Sequence, residues 1–165
     1  MDYLYFMIKH RSILGGKEMD VVYKKISEDM LDEIIELFVE TFNSQPWNDN
    51  WTVQTSSKRL CPIIFTEGFF GLSAYQDNKI CGFTMGFFEQ YCDEKEFIIK
   101  EFAIRNMGRG RGLGSQLLME FEKRLREMGV KKIILLTLKG NLTEHFYEKN
   151  GFKTNTKMAF MNKTI

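Results

Sequence analysis

The chain has little of what builds a metal centre or a disulfide scaffold. Its 165 residues include only three cysteines and two histidines. Cys61, Cys81 and Cys92 are widely spaced, and neither histidine lies near enough in sequence to form a ligand cluster with them. An odd number of separated thiols indicates reduced, buried side chains rather than disulfides. We therefore expect a cytoplasmic protein without a bound metal.

Excess charge of one sign and long apolar runs are also missing. Lysine and arginine number 23, aspartate and glutamate 22, and the formal net charge is +1. A balanced surface creates no field that would attract a nucleic acid or an anionic membrane. No apolar run approaches the roughly 20 residues that a membrane-spanning helix requires. The length and the 44% of hydrophobic residues are instead typical of one globular domain.

Apolar periodicity from residue 19 onward predicts alternating strands and helices. The predicted strands cover 20–26, 69–76, 79–91, 94–105, 131–138 and 156–162. The predicted helices cover 28–42, 52–60, 112–128 and 142–150. Ser27 is predicted to cap the first of them, and Pro62 to end the second. Asp77 and Asn78 form the turn of a hairpin between the second and third strands. This order predicts one α/β layer fold with strands of both orientations.

Four glycines lie in the loop where the third predicted helix begins. Gly108, Gly110, Gly112 and Gly114 alternate with other residues between an apolar strand and an amphipathic helix. A helix N-terminus presents unpaired N–H groups and a partial positive charge, and glycine lets an anion approach the backbone closely. Four glycines exceed what a turn requires. We therefore interpret the loop as a pyrophosphate site.

Two common phosphate-binding motifs do not fit this loop. The dinucleotide motif G-x-G-x-x-G fails because Ser115 or Leu117 stands where its third glycine belongs. The P-loop motif fails because no Gly-Lys-Ser or Gly-Lys-Thr is present. The pattern that does fit is R-x-x-G-x-G, formed by Arg109, Gly112 and Gly114.

This loop and a second motif resemble the GCN5-related N-acetyltransferases (GNAT). The segment AIRNMGRGRGLG carries the first motif, and YEKNGF matches a second family feature with Tyr147, Gly151 and Phe152. The resemblance runs from about Val21 to the C-terminus and is strongest from Phe97 to Phe152. It implies a single-domain α/β fold, with a mixed, mostly antiparallel sheet that contains a central splayed pair of parallel strands flanked by helices.

The resemblance implies acetyl-CoA as the cofactor and CoA as a product. The residues implied to bind it are Phe102, Ala103, Ile104, Arg109, Gly110, Arg111, Gly112, Leu113, Gly114, Ser115, Asn141 and Tyr147. In the family an asparagine seven residues before the tyrosine contacts the pantetheine arm. That position is Gly140 here, and Asn141 lies one residue later. A strand amide, at Phe102 or Ile104, would polarise the acetyl carbonyl.

An acetyl transfer to an amine requires a general base. An amine with a pKa near 10 is protonated at neutral pH, so freeing its lone pair costs roughly 4 kcal/mol. Regular alternation places Ile99, Glu101 and Ala103 on one side of a strand that should be apolar on both faces. We predict that Glu101 is the base. Glu89, a water chain, or a purely structural pairing of Glu101 with Lys100 are the alternatives.

The departing thiolate requires a general acid. The resemblance assigns this role to Tyr147 on the last short helix, and a tyrosine hydroxyl is chemically able to fill it. A buried aromatic residue with one hydrogen bond is the alternative interpretation. His145 lies on a different side of that helix, so we expect it at the surface.

The acceptor site is expected near the loop TFNSQPWNDNWT. The residues predicted to line it are Phe42, Trp47, Trp51 and Glu89, with Glu40 and Asp49 as further acidic groups. Aromatic rings and carboxylates together suit a cationic amine, although tryptophans above a core often only pack. We predict that the acceptor is a primary amine of a small molecule, aminoglycoside-like or polyamine-like. We expect the protein to be a monomer or a homodimer.

Other functions and one boundary stay open. The alternatives are a catalytically silent acyl-CoA-binding regulatory module, a peptide or protein N-acetyltransferase, and a different nucleotide binder. At the N-terminus, GGKEMD has the appearance of a translated ribosome-binding site. We therefore predict that Met19 is the natural start, with residues 1–18 as an N-terminal extension and 19–165 as the acetyltransferase domain. An ordinary N-terminal arm is the alternative.

Overall fold

The computed structural model describes residues 9–14, 17–106, 110, 112–140 and 142–165, with side chains from residue 20 onward. The chain divides into two compact units, Met1–Leu135 and Leu136–Ile165.

The first unit is built on a sheet. In the described part of the chain its six strands are β1 (Lys9–Leu14), β2 (Lys17–Lys25), β3 (Phe69–Gln76), β4 (Lys79–Tyr91), β5 (Glu94–Ile104) and β6 (Lys132–Leu135). They lie side by side in chain order. Every neighbouring pair is antiparallel except β5 and β6, which are parallel. The predicted mixed, mostly antiparallel sheet is confirmed.

Helices cover both faces of this sheet. They are α1 (Leu31–Phe42), α2 (Val53–Ile64) and α3 (Leu113–Glu127), with one 3-10 turn (Glu28–Met30) before α1. On one face, α1 and α2 share an apolar cluster with the sheet that includes Phe38, Leu60 and Phe83. On the other face, Phe121 of α3 stacks on Phe70 of β3, with 5.4 Å between the ring centroids.

The turn chemistry of the sequence explains several boundaries. Asp77 and Asn78 have φ values of 48° and 59°, as a two-residue hairpin turn between β3 and β4 requires. Gly129, at φ 82°, follows the end of α3. Ser27 precedes the 3-10 turn as predicted, but its hydroxyl donates to the Asp29 carboxylate instead of capping a backbone N–H.

The prediction that Pro62 ends the second helix is wrong. Thr52 and Thr55 form a capping box at the start of α2, and the helix continues through Pro62 to Ile64. A proline there removes a single backbone donor near the end of the helix. The two residues after it, Ile63 and Ile64, are 8% and 7% exposed, so their burial offsets the loss.

The last two predicted strands differ from the structure. The strand predicted over 131–138 is confirmed only for β6, whose apolar residues are half-buried rather than buried. β6 pairs with β5 as far as Ile99 opposite Leu135, so residues 100–104 of β5 extend beyond the end of β6. In the second unit, α4 (Thr143–Lys149) is confirmed, but the prediction of a strand over 156–162 is wrong. Alternating apolar residues give a strand only where a neighbouring strand pairs with them.

Candidate active site

The glycine loop leads directly into α3. Gly112 is the N-cap of the helix in a left-handed conformation, φ 81°, and no side chain caps this end. Gly110 also has a positive φ, 72°, and a Cβ on either glycine would meet open space. Leu113 is 1% exposed and anchors the first turn, to which Gly114 and Ser115 also belong. The first N–H groups of α3 therefore lie at a helix start whose N-cap carries no side chain, and such a start can hold an anion.

Three of the predicted cofactor residues lie outside the described residues. They are Arg109 and Arg111 in the loop and Asn141 before α4. Their roles stay predictions from the resemblance. The described cofactor candidates of β5, namely Phe102, Ala103 and Ile104, lie in the segment that extends beyond β6.

A β-bulge interrupts β5 next to Glu101. The register with β4 passes from Ile99 opposite Gly86 to Glu101 opposite Met85, so Lys100 is an extra residue on β5. A Cβ on Gly86 would lie 1.8 Å from the carbonyl oxygen of Ile98. Glycine at position 86 is therefore required for the close approach of the two strands at the bulge.

The bulge corrects the regular alternation predicted along this strand. Phe97 points to the α3 face, where its ring centroid lies 5.3 Å from that of Phe121. Glu101 points to the opposite face, where its carboxylate contacts Arg59 of α2. Two residues that are four apart would share a face in a regular strand. The extra residue at Lys100 reverses the faces after it.

Glu101 is a buried carboxylate with one charged neighbour on α2. Its side chain is 6% exposed, and its Oε1 lies 2.7 Å from Nη2 of Arg59, which is 46% exposed. This contact is an ion pair. Burial raises the pKa of Glu101 above its usual value, although Arg59 and the exposed Lys100 partly offset the rise. A carboxylate with a raised pKa is better suited to accept a proton near neutral pH.

Sequence reasoning missed Arg59, although a signal was present. The buried residues of α2 include Ser56, Leu60 and Ile63. Arg59 lies three residues after Ser56 and four before Ile63, so it borders the apolar stripe of the helix. A charged residue at such a position indicates a buried partner of opposite charge.

The three predicted aromatic residues of the acceptor site do lie together. The rings of Phe42 and Trp47 are 5.4 Å apart, and Phe38 joins them to Trp51 with centroid distances of 4.5 Å to Phe42 and 5.1 Å to Trp51. The guanidinium of Arg59 lies 5.8 Å from the Trp51 ring centroid. This aromatic cluster therefore borders the ion pair of Glu101.

The other acidic candidates lie elsewhere. Glu89 is exposed and lies opposite Glu96 in the pairing of β4 with β5. Glu96 is five residues before Glu101 on β5. At about 3.3 Å per residue, Glu89 is therefore more than about 10 Å from Glu101. Glu40 forms an ion pair with Arg105, and Asp49 accepts a hydrogen bond of 3.0 Å from Nε1 of Trp51. The structure therefore brings Glu101, but not Glu89, to the aromatic cluster.

In the second unit, Tyr147 is partly buried on α4. Its ring lies 5.1 Å from that of Phe146 and 5.5 Å from that of Phe152. Gly151, at φ 89°, ends the helix and lets the N–H of Phe152 bond back to the carbonyl of Tyr147 at 3.0 Å. His145 is exposed, as predicted.

The cysteines are free thiols with different environments. Cys81 is buried and its pKa is raised to about 12 by burial, Cys61 is half-buried, and Cys92 is exposed, which corrects the prediction that all three are buried.

Among the residues that the structure describes, no three histidine, cysteine or acidic side chains gather as a metal site. None of the described helices has the length and apolar character needed to cross a membrane.

Residues 31–152 match the acetyltransferase (GNAT) family. A search of curated protein sequences gives no significant match. Among solved structures, a GNAT family acetyltransferase of Staphylococcus aureus is 20% identical, with a TM-score of 0.67 over 87% of this chain and 98% of that one.

Two further structures with this fold carry ligands. An aminoglycoside acetyltransferase from an uncultured soil metagenomic sample, in complex with sisomicin, is 16% identical, with a TM-score of 0.68 over 88% of this chain and 96% of that one. An aminoglycoside N-acetyltransferase in complex with CoA is 14% identical, with a TM-score of 0.70 over 92% of this chain and all of that one. At such identities the likeness shows the fold, while the family match spans most of the chain. The chain belongs to the acetyltransferase (GNAT) family and is a GNAT-type acetyltransferase.

Proposed function

We propose that this enzyme transfers the acetyl group of acetyl-CoA directly to a primary amine of a small molecule. The observation that carries the proposal is the position of Glu101. It is a buried carboxylate beside the aromatic cluster, on the strand whose end extends beyond β6. A base and an amine-binding surface thus occur on one face of one unit, and the base lies on the part of β5 that extends beyond β6.

The described residues fit acetyl-CoA. The N–H groups of Leu113, Gly114 and Ser115 would hold the pyrophosphate, because they lie at the start of α3, where the N-cap Gly112 carries no side chain to hinder an anion. Arg109 and Arg111 would add positive charge. Residues 102–104 of β5 would hold the pantetheine arm, with Asn141 as a further contact. When bound, acetyl-CoA supplies an activated acetyl thioester.

The side chains would then move two protons. The Glu101 carboxylate takes a proton from the acceptor ammonium, directly or through a water, and so exposes the nitrogen lone pair for attack. Its raised pKa brings its basicity closer to the working pH. Tyr147 would give its Oη proton to the departing sulfur, and the second proton that the acceptor nitrogen loses on becoming an amide would restore the Tyr147 hydroxyl. A β5 amide, at Phe102 or Ile104, polarises the carbonyl oxygen.

The acceptor class follows from the aromatic cluster. Trp51 lies 5.8 Å from the guanidinium that pairs with Glu101, and Phe42 and Trp47 belong to the same ring cluster, so a cationic amine at Glu101 would lie beside aromatic rings. The sisomicin complex of a protein with this fold supports an aminoglycoside-like acceptor, and a polyamine would use the same contacts. Because Glu89 is remote from Glu101, it would meet only a distant part of a long acceptor.

The surrounding assignments are also proposals. We infer a cytoplasmic enzyme, monomeric or homodimeric, with no nucleic-acid or membrane partner; the free thiols support a reducing compartment. The catalytic domain would span 19–165, with residues 1–18 as an extension. In that extension β1 pairs with β2, while all proposed site residues lie in the domain.

The test measures acetyl-CoA turnover through the release of the CoA thiol. The acceptors offered are aminoglycosides, polyamines, amino acids and peptides. Turnover with an aminoglycoside or a polyamine supports the proposal. Turnover with peptides alone would replace the small molecule by a peptide or protein acceptor. Tight CoA binding by calorimetry without turnover would overturn catalysis in favour of an acyl-CoA-binding module.

A further inference from the structure

Arg59 lies where a cationic acceptor would need to be. Its guanidinium contacts the buried Glu101 carboxylate at 2.7 Å and lies 5.8 Å from the Trp51 ring centroid. A buried carboxylate and an aromatic face are the two groups that recognise a cation from solution. In this structure both are engaged by a cation of the protein itself.

This ion pair is built to exchange its cation. Arg59 is 46% exposed, while Glu101 is 6% exposed, so the cation of this pair can leave toward solvent and the carboxylate cannot. A second buried carboxylate on the same strand, Glu96, has a cation partner of its own, Lys132, whose Nζ donates a hydrogen bond of 2.7 Å to it. Half-exposed ion pairs contribute little stability, and the long arginine side chain can turn toward solvent.

We propose that Arg59 is an internal competitor of the acceptor, occupying the ammonium position at Glu101 until the acceptor amine displaces it. This inference rests on the proposed function of Glu101. The exchange replaces one cation by another, so the buried carboxylate is never left without a counter-charge. Arg59 is thus a positioning residue that acts through Glu101.

The same exchange explains how the site would reset. Once Glu101 has taken the proton of the ammonium, it is neutral and attracts neither Arg59 nor a cation. The product amide is neutral as well, so no charge holds it at Glu101. When Glu101 returns its proton to solvent, the guanidinium of Arg59 pairs again with the carboxylate. An acceptor that carries no positive charge gains nothing by displacing Arg59, so the site selects cationic amines.

The main test is the variant Arg59→Gln, with sisomicin and spermidine as acceptors. The KM for the amine is expected to fall about three- to fivefold, the factor that such an ion pair is worth, while kcat stays close to that of the wild type. Guanidinium chloride at millimolar concentration is expected to inhibit Arg59→Gln competitively with the amine and to leave the wild type unaffected. The control Lys132→Gln removes the cation from Glu96 instead and is expected to change neither property. A KM that rises or stays constant in Arg59→Gln would overturn the proposal.

A second measurement does not depend on turnover. The charged groups acting on Glu101 are Arg59 from α2 and Lys100 from β5, and its β4 neighbour Met85 is neutral. The carboxyl carbon of Glu101, followed by NMR, should titrate at higher pH in Arg59→Gln, and added guanidinium should reverse the shift. Calorimetry should show tighter spermidine binding to Arg59→Gln than to the wild type. If the wild type turns over no amine but both results hold, the cation exchange stands and the catalytic function fails. If neither result holds, the exchange is wrong whatever the enzyme acetylates.

Discussion

Phe97 and Glu101 lie four residues apart on the same strand, yet they face opposite sides of the sheet. Phe97 packs against Phe121 of α3, and Glu101 contacts Arg59 of α2. The extra residue at Lys100 produces the reversal. It turns the proposed base toward the aromatic cluster, while the apolar half of the strand stays packed under α3.

The first prediction concerns the glycine opposite this bulge. Gly86→Ala would place a Cβ 1.8 Å from the carbonyl oxygen of Ile98, and backbone must move to relieve the clash. We expect a loss of about 3 kcal/mol in the free energy of unfolding, measured with urea. Because Glu101 follows the bulge, kcat should fall at temperatures where the variant is still folded.

Gly82→Ala is the matched control on the same strand. Its Cβ would mainly meet Cδ1 of Ile104 at 2.5 Å, the flexible end of a side chain that can turn away. We expect a smaller loss of stability than for Gly86→Ala. An equal loss in both variants would contradict the role given to the bulge.

The second prediction concerns the proposed base. Glu101→Gln should lower kcat at neutral pH about 100- to 10,000-fold without changing CoA affinity. The loss should shrink near pH 10, where the amine deprotonates by itself. Because burial raises the pKa of Glu101, the wild-type rate should fall with acid at a pH above that of an ordinary glutamate, and Glu101→Gln should lack this limb. The measurement is thiol release across the pH range.

Glu96→Gln separates catalysis from loss of a buried charge. Glu96 is 4% exposed on the same strand and is paired with Lys132, so its replacement should cost stability without a comparable effect on rate. Should Glu101→Gln retain the wild-type rate at both neutral and high pH, Glu101 is not the base.

The third prediction concerns the anion site at α3. Gly112→Ala introduces a Cβ at φ 81°, which costs about 1 to 2 kcal/mol of stability, and places a side chain at the N-cap of α3, where it would hinder the approach of an anion to the backbone. We expect CoA binding, measured by calorimetry, to weaken at least about tenfold. Gly129→Ala, at φ 82° and also facing open space, carries similar strain at the other end of the helix. Equal weakening of CoA binding in both variants would show that strain, and not the site, is responsible.

The fourth prediction concerns Tyr147. Phe at this position keeps the ring contacts with Phe146 and Phe152 and removes only the hydroxyl. We expect kcat to fall about 100-fold, since the leaving thiolate loses its proton donor. Tyr91→Phe, at a side chain that is 66% exposed, should have no effect. Unchanged thiol release in Tyr147→Phe would leave the acid role with another group.

Much of the fold is encoded in short-range signals that the sequence displays directly. The turn at Asp77 and Asn78 sets where β3 ends and β4 begins, because it requires a positive φ at two successive positions and few residue types adopt one. The glycines around α3 mark its limits for a similar reason. The strand predicted over 156–162 was wrong because a strand depends on a partner elsewhere in the chain, which local alternation does not reveal.

The sequence by itself determined the family and the glycine loop through its motifs, and the order of most elements through its periodicity. It also made Glu101 a candidate for the base. These signals can be detected without the structure because each depends only on residues that are close together in the chain. Only the tertiary structure decided which way Glu101 points and what it meets. The bulge at Lys100 arises from pairing with β4, and the contact with Arg59 joins residues that the chain separates by a hairpin. Such relationships depend on the packing of distant segments and have no local signature.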